Sequence, residues 1–543
     1  MQTQPWWRGC VIYQVYPRSF MDANHDGIGD LQGIIHKLAY IKSLAVDAIW
    51  ISPFFQSPMK DFGYDISDYR AIDPMFGTMA DFQQLLLEAK ALDLKVIIDQ
   101  VLSHTSDQHA WFTESRASKD NDKADWYVWA DAKADGTPPN NWLSIFGGSA
   151  WQWDARRRQY YLHNFLSSQP DLNFHHPQVR EQALANLRFW LDLGVDGFRL
   201  DAINFCFHDQ QLRDNPPKSE EDRTGRGFSN DNPYAYQYHY FNNTQVENLA
   251  FLEQLRQLMD SYPERVTLGE ISSENSLQTM AEYTEADKRL NMAYSFELLS
   301  TEFSPRYIRN VVEQYEAKVA GGWPCWAIGN HDVARVVSRW SEGQAAPEFA
   351  VMLNQLLGSL RGSVCSYQGE ELGLFEAELN FEDLQDPYGI AFWPNYKGRD
   401  GCRTPMPWHQ ELPQLGFSQA PQTWLPVAVE HKQRAVNLQQ LNPQSILNHY
   451  RNFYQWRKQQ PALLYGDITF VADDQHTLAF IRHTQAQTLL VCVNMSAHAQ
   501  TCLIPISELK AYTWAQQQPI FEHSNWLIDI VPYQVHFLQL IAK

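Results

Sequence analysis

Short apolar runs alternate along this chain with stretches whose apolar residues recur every three or four positions. The runs are VIYQVYP (11–17), DAIWISP (47–53), LKVIIDQV (94–101), GVDGFRLDA (194–202), RVTLGEI (265–271), AYSF (293–296), WPCWAIGN (323–330) and GSVCSYQGEE (362–371). Their brevity and β-branched content predict strands. Between them, LQGIIHKLAYIKSL, DFQQLLLEAKAL, VREQALANLRFWLDL, VENLAFLEQLRQLM and PEFAVMLNQLLGSL carry the helical spacing. Strand and helix in eightfold alternation predict an α/β protein built as a (β/α)8 TIM barrel.

Two segments break the rhythm. Residues 104–175 are rich in Trp, Asp, Asn, Gly and Pro and too long for a plain loop after strand three, so they predict a small inserted domain. From residue 456 to 543 the pattern turns to short strands (DITFVA, LAFIRH, TLLVCVNM, YQVHFLQLI), which predicts a C-terminal all-β sandwich. The barrel then comprises residues 1–103 and 176–455. Within it, the polar, Pro- and Gly-punctuated stretch 208–243 after strand four reads as an extended lid loop.

Composition narrows the class. With 44% hydrophobic and 20% charged residues in 543, this is a globular chain too long for one core. The net charge of −20 disfavours phosphate backbones, so no nucleic-acid partner is expected. The seven cysteines form no CxxC pair, which fits a reducing compartment. No run of ~18 apolar residues predicts a membrane span, and MQTQPWWRGCVIYQVYP lacks the form of a signal peptide. A cytoplasmic enzyme, monomer or homodimer, is the expectation. The 19 Trp, 25 Tyr and 29 Phe suit large cores and also sugar-binding surfaces.

The polar residues inside the apolar runs carry the chemistry. Arg199 and Asp201 alternate with Phe198 and Leu200, so both face one side of a core strand. Burying either one alone is expensive. They form a structural ion pair, or they stand at a strand end and do chemistry. Barrel chemistry belongs to the C-terminal strand ends. Those ends carry Asp99 and His104 (strand three), Arg199 and Asp201 (four), Glu270 (five), and Asn330, His331 and Asp332 (seven). Asp61, Tyr64 and Asp65 follow strand two. Asp201, Glu270 and Asp332 therefore meet at one mouth. Crowded carboxylates raise one another's pKa, so one can stay protonated as an acid while another stays ionised as a nucleophile. Glycoside hydrolysis uses that division.

The motifs DQVLSH (99–104), QPDLNF (169–174), GFRLDAI (197–203), LGE (268–270) and GNHD (329–332), in this order, resemble those of the α-amylase family of glycoside hydrolases, in its α-glucosidase and oligo-1,6-glucosidase branch. Each is weak alone; the set is specific and spans nearly the whole chain. One departure is Ser103, where the family usually has asparagine. The resemblance implies Asp201 as nucleophile, Glu270 as acid and base, and Asp332 as the group that grips the sugar's 2- and 3-hydroxyls. It implies sugar contacts from His104, His331, Tyr64 and Arg199, an Asp61–Arg399 pair that binds the terminal 4-hydroxyl, and pocket walls from Phe146 and Phe165. The residue after the nucleophile resembles a linkage selector, and Ala202 leans toward α-1,4. The implied activity is a retaining, exo-acting α-glucosidase on the non-reducing end of short, maltose-type glucosides, with transglucosylation. The alternative is an oligo-1,6-glucosidase, or a transglucosidase that rearranges sucrose or trehalose. A non-catalytic, transporter-associated relative would carry an anchor and lack part of the carboxylate set.

DANHDGIGD (22–30) places Asp22, Asn24, Asp26 and Asp30 at alternate positions around Gly27, and the family resemblance implies the Ile28 carbonyl as a further ligand. The spacing resembles a loop for one structural Ca2+ or Mg2+, although Gly33 stands where an EF-hand would have glutamate. An Asx-rich turn without metal has the same look.

Overall fold

All eight apolar runs form parallel strands in the computed structural model, which describes residues 4–223, 232–286, 288–341, 346–515 and 519–543. The strands are β1 Val11–Val15, β2 Ala48–Ile51, β3 Lys95–Val101, β4 Gly197–Asp201, β5 Val266–Ile271, β6 Met292–Ser295, β7 Cys325–Ala327 and β8 Ser363–Tyr367. Their hydrogen-bonded order is β6-β5-β4-β3-β2-β1-β8-β7, and a parallel bridge from Ala293 to Pro324 nearly closes the ring. Alternation sets the two faces. Ile12, Trp50, Ile97, Leu268 and Tyr294 fill the interior, while Tyr13, Ile49, Ile98, Phe198 and Leu200 pack outward under the helices. Arg199, two residues along from Gly197 and level with Asp99 on β3, faces the interior.

Helices follow the strands: α1 Leu31–Ser43, α2 Met79–Ala91, α3 Pro177–Leu193, α4 Glu247–Asp260, α5 Ser276–Tyr283, α6 Pro305–Lys318, α7 Pro347–Ser359 and α8 Ile446–Arg457. Asp30 caps α1, accepting from the Gly33 amide, and Thr78 with Asp81 forms a capping box on α2. Helices α5, α6 and α8 lie outside the five periodic stretches read from the sequence. In α6 the stripe Ile308, Val311, Val312 and Tyr315 does have helical spacing, in a segment whose remaining residues are mostly polar.

Between β3 and α3, the strands Trp129–Ala130, Trp151–Asp154 and Gln159–Leu162 form a small antiparallel sheet over its own core of Val128, Trp142, Ala150, Trp151 and Leu162. The described part of the 208–243 loop is pinned to this insert: Trp142 Nε1 donates to the Arg213 carbonyl (2.8 Å) and Asn232 Nδ2 to that of Ile145 (2.6 Å). Residues 224–231 of the expected lid lie outside the described residues. After Asp467 the chain forms a five-stranded and a three-stranded antiparallel sheet, with Val471, Ile481, Leu490, Cys502, Ile504 and Ile528 between them. Arg482 ties this unit to the barrel through the carbonyls of Ser359 and Leu360. All seven cysteines are buried and free. Among the described residues, no helix is long and apolar enough to cross a membrane.

Candidate active site

Strand ends of β3, β4, β5 and β7 deliver one buried charge cluster. Its centre is Arg199, fully enclosed. The guanidinium donates to Asp99 (2.9 and 3.1 Å) and Asp201 (2.5 Å) through Nη1, and its Nη2 lies 2.5 Å from Glu270 Oε1. The sequence made Arg199 the partner of Asp201; in three dimensions it bridges three carboxylates. Trp50 Nε1 (3.1 Å) and the Tyr64 hydroxyl (3.0 Å) also donate to Asp99. One cation cannot neutralise three buried acids. Burial pushes Asp201 and Glu270 up to about 7 each, and Asp99 to about 6; Arg199 opposes this and the neighbouring carboxylates add to it. Near neutral pH the cluster therefore retains a proton.

Asp332 is the opposite case. Burial alone would raise its pKa, but His331, Arg399 and Arg403 together hold it well below the ordinary carboxylate range. Arg399 Nη1 (3.1 Å) and Arg403 Nη2 (3.0 Å) both donate to Oδ1, and His331 Nε2 stands 3.2 Å from Oδ2. Arg399 also donates to Asp61 (2.8 Å) and, through two nitrogens, to Asp386 (3.0 and 2.8 Å). The Asp61–Arg399 pair implied by the resemblance is thus present, with Asp386 as its third member.

These groups line a pocket of about 750 Å³, its open mouth included. Asp61, Tyr64, His104, Phe146, Phe165, Asp201, Ala202, Glu270, Asp332 and Arg399 from the sequence reading all face it. His104 Nε2 meets the Tyr64 carbonyl (3.0 Å), and burial lowers its pKa to about 4, so the ring is neutral. His331 is fully buried behind the wall, stacked on Tyr64 at 5.1 Å, with Nδ1 on Gln14. Ala202 sits in the left-handed region (φ 39°), and its amide donates to Glu270 Oε2 (3.2 Å).

Residues 14–466 match the model of the α-amylase catalytic domain. The chain belongs to the α-amylase family. It is 55% identical over 508 residues to a probable α-glucosidase of Rhizobium meliloti (strain 1021), covering 93% of this chain and 92% of the relative. It is 37% identical over 533 residues to an oligo-1,6-glucosidase of Parageobacillus thermoglucosidasius, covering 92% of each. The crystal structure of the α-glucosyl transfer enzyme XgtA superimposes with a TM-score of 0.95 at 60% identity over the full length of both chains.

Several residues of this α-amylase family site went unread in the sequence. Arg403 lies four positions beyond Arg399. Gln169, whose amide donates to Asp61 (2.9 Å), opens the QPDLNF motif. Tyr294 shares the inward face of β6 with Met292, so strand alternation could have found it. Asp386 caps the short helix Pro387–Phe392, which carries the wall residue Tyr388, and Tyr396 follows it; the Asp-Pro pair is a helix-start signal that went unread.

In the 22–30 loop every carboxylate is engaged by turn hydrogen bonds. Asp22 accepts from the amides of His25 (2.6 Å) and Gly27 (2.8 Å), Asp26 from that of Ile28 (2.9 Å), and Asp30 from those of Ala23 (3.0 Å) and Gly33 (2.6 Å). Among the described residues, no three His, Cys, Asp or Glu converge as a metal cluster. The available donors are oxygens, the chemistry a hard cation takes; Asp22 Oδ2 and Asp30 Oδ2 already accept two hydrogen bonds each, while Asp22 Oδ1, both oxygens of Asp26 and Asp30 Oδ1 accept one and keep a second lone pair.

Proposed function

We propose that this α-amylase family enzyme is a retaining, exo-acting α-glucosidase. It releases α-glucose from the non-reducing end of short α-1,4-glucosides of the maltose type and passes the same glucosyl group to other acceptors. One observation carries the assignment: Asp201, Glu270 and Asp332 share a pocket with the buried Asp61–Arg399–Asp386 cluster. That cluster supplies the groups to hold a terminal glucose.

Asp201 attacks the anomeric carbon as Glu270 protonates the departing oxygen, giving a glycosyl ester and free aglycone. Glu270, now ionised, takes a proton from water or an acceptor hydroxyl, which attacks the same carbon and frees Asp201. The configuration is retained after two inversions. Two carboxyls within 2.5 Å of one guanidinium favour the close, ~5 Å retaining separation over the wider inverting one. Asp332, held ionised, accepts from the sugar hydroxyls and stabilises the developing positive charge. The small Ala202 side chain supports the α-1,4 preference, a discrimination worth ~1–3 kcal/mol.

The test is a panel of maltose, isomaltose, sucrose, trehalose and maltotriose, with NMR reading linkage, anomer and transfer, and Asp201→Asn as control. Isomaltose cleaved far faster than maltose moves the enzyme to the 1,6-specific reading, and unchanged turnover by the variant removes Asp201 as nucleophile. We also infer that Asp22, Asn24, Asp26, the Ile28 carbonyl and Asp30 would hold one structural Ca2+ or Mg2+, where it would cross-link the loop after β1. Calorimetric titration of chelator-treated protein with either ion checks this; absence of heat and an unmoved melting temperature withdraw it. A cytoplasmic location belongs to the same proposal, supported by the unpaired cysteines.

A further inference from the structure

The Tyr294 hydroxyl, buried on β6, touches two charged members of the catalytic cluster. It accepts from Arg199 Nε (3.2 Å) and Nη2 (2.9 Å), and it lies 2.8 Å from Glu270 Oε1. A guanidinium has donors only. The tyrosine's own proton therefore has one direction open to it, toward Glu270 Oε1. That oxygen also meets Arg199 Nη2. Facing two donors, Oε1 cannot itself carry a proton. The other oxygen, Oε2, meets the amide of Ala202 at a longer 3.2 Å, and Ala202 lines the pocket.

We propose that Tyr294 is a positioning residue that fixes the acid proton of Glu270 on Oε2, toward the glycosidic oxygen, and steadies the carboxylate left after proton transfer. This rests on the acid–base role proposed for Glu270. In its absence Oε1 faces only the Arg199 donor, and its second lone pair is open to a proton aimed away from the substrate. The Tyr294 hydrogen bond also favours the ionised form of Glu270, against the burial that opposes it.

Tyr294→Phe keeps the ring and removes the hydroxyl, and with it the acceptor of Arg199 Nε. The kcat/KM of the variant is expected to fall about tenfold on maltose, whose leaving group needs the proton. It should fall at most two- to threefold on p-nitrophenyl α-glucoside, whose leaving group does not. The basic limb of the kcat/KM profile is expected to move to higher pH, because the ionised form has lost a donor. Equal losses on both substrates with an unmoved basic limb would reduce Tyr294 to a packing role and overturn the proposal. Should Tyr294→Phe fail to fold, 3-fluorotyrosine at position 294 keeps the volume and donates more strongly, so the basic limb should move to lower pH; an unmoved limb overturns the proposal equally. Glu270→Gln separates the two levels. If that variant keeps full maltose turnover, the acid role itself fails, whatever Tyr294 does.

Discussion

Arg399→Ala tests the charge arrangement at the closed side of the pocket. Arg399 is 8% exposed and is the shared partner of Asp61, Asp386 and Asp332; among the described residues only Asp332 keeps a direct ion pair with another arginine, Arg403. Removing one member of a buried ion pair costs about 3–5 kcal/mol, because the remaining charge is stranded. In a protein of this size, that loss lowers the melting temperature by several degrees. The loss has a pH signature. Without the cation, Asp61 and Asp386 have folded-state pKa values raised by burial, so the fold is favoured while they are protonated and weakens as pH rises through those values. The melting deficit against wild type should therefore be larger at pH 8 than at pH 5. Activity should fall as well, since a charge-assisted contact to the terminal sugar is worth about 1.5–3 kcal/mol, or roughly 10- to 150-fold in kcat/KM. Arg399→Lys keeps the charge but loses the fork and should fall between. Scanning calorimetry at both pH values and maltose kinetics make the measurement. Melting within 1 °C of wild type at both pH values, with kcat/KM changed less than threefold, would refute the reasoning.

Further outcomes follow from the same buried groups. With Asp201 and Glu270 both near 7, kcat/KM should peak around neutrality, falling in acid as the nucleophile is protonated and in base as the acid proton is lost; a flat profile from pH 5 to 9 contradicts the pairing. Glu370, buried beneath Gly329, has its pKa raised by burial from 4.5 to about 8, so the fold loses stability as pH rises across that window. Glu370→Gln should be more stable than wild type at pH 8, by up to about 5 kcal/mol, and so melt higher there, while matching it closely at pH 5; equal melting of the two proteins at both pH values would remove the effect. Ala202→Val should raise the isomaltose-to-maltose ratio by about tenfold. It should also lower stability, since a β-branched residue is strained at φ 39°; an unchanged ratio clears position 202 of a role in linkage choice.

Much of this site was legible before any coordinates. Side chains alternate along a strand, so Phe198 and Leu200 marked the outer face and Arg199 and Asp201 the inner one. Parallel strands in a barrel end at one rim, so Asp201, Glu270 and Asp332 had to meet. Helices announced themselves where an apolar stripe was dense, as in α1 and α7, and escaped notice where polar residues outnumbered it, as in α6. What the linear chain left open were partnerships. Arg199 was assigned to Asp201, its neighbour in the strand, but it serves Asp99 and Glu270 equally, which come from adjacent staves. Asp386 joined the Arg399 cluster from the cap of a six-residue helix too short to show a periodicity. Tyr294 gained its importance only because Arg199 and Glu270 both reach its hydroxyl.

Local covalent geometry thus dictates which way a residue faces, because the repeat of strand or helix is built into the backbone, and that much the sequence determined by itself. Which charges touch, and hence where protons reside, depends on the path of loops that no short-range preference encodes. Only the folded chain, with its interior stripped of water, decided that one guanidinium would hold three acids and that two of them would titrate near neutrality.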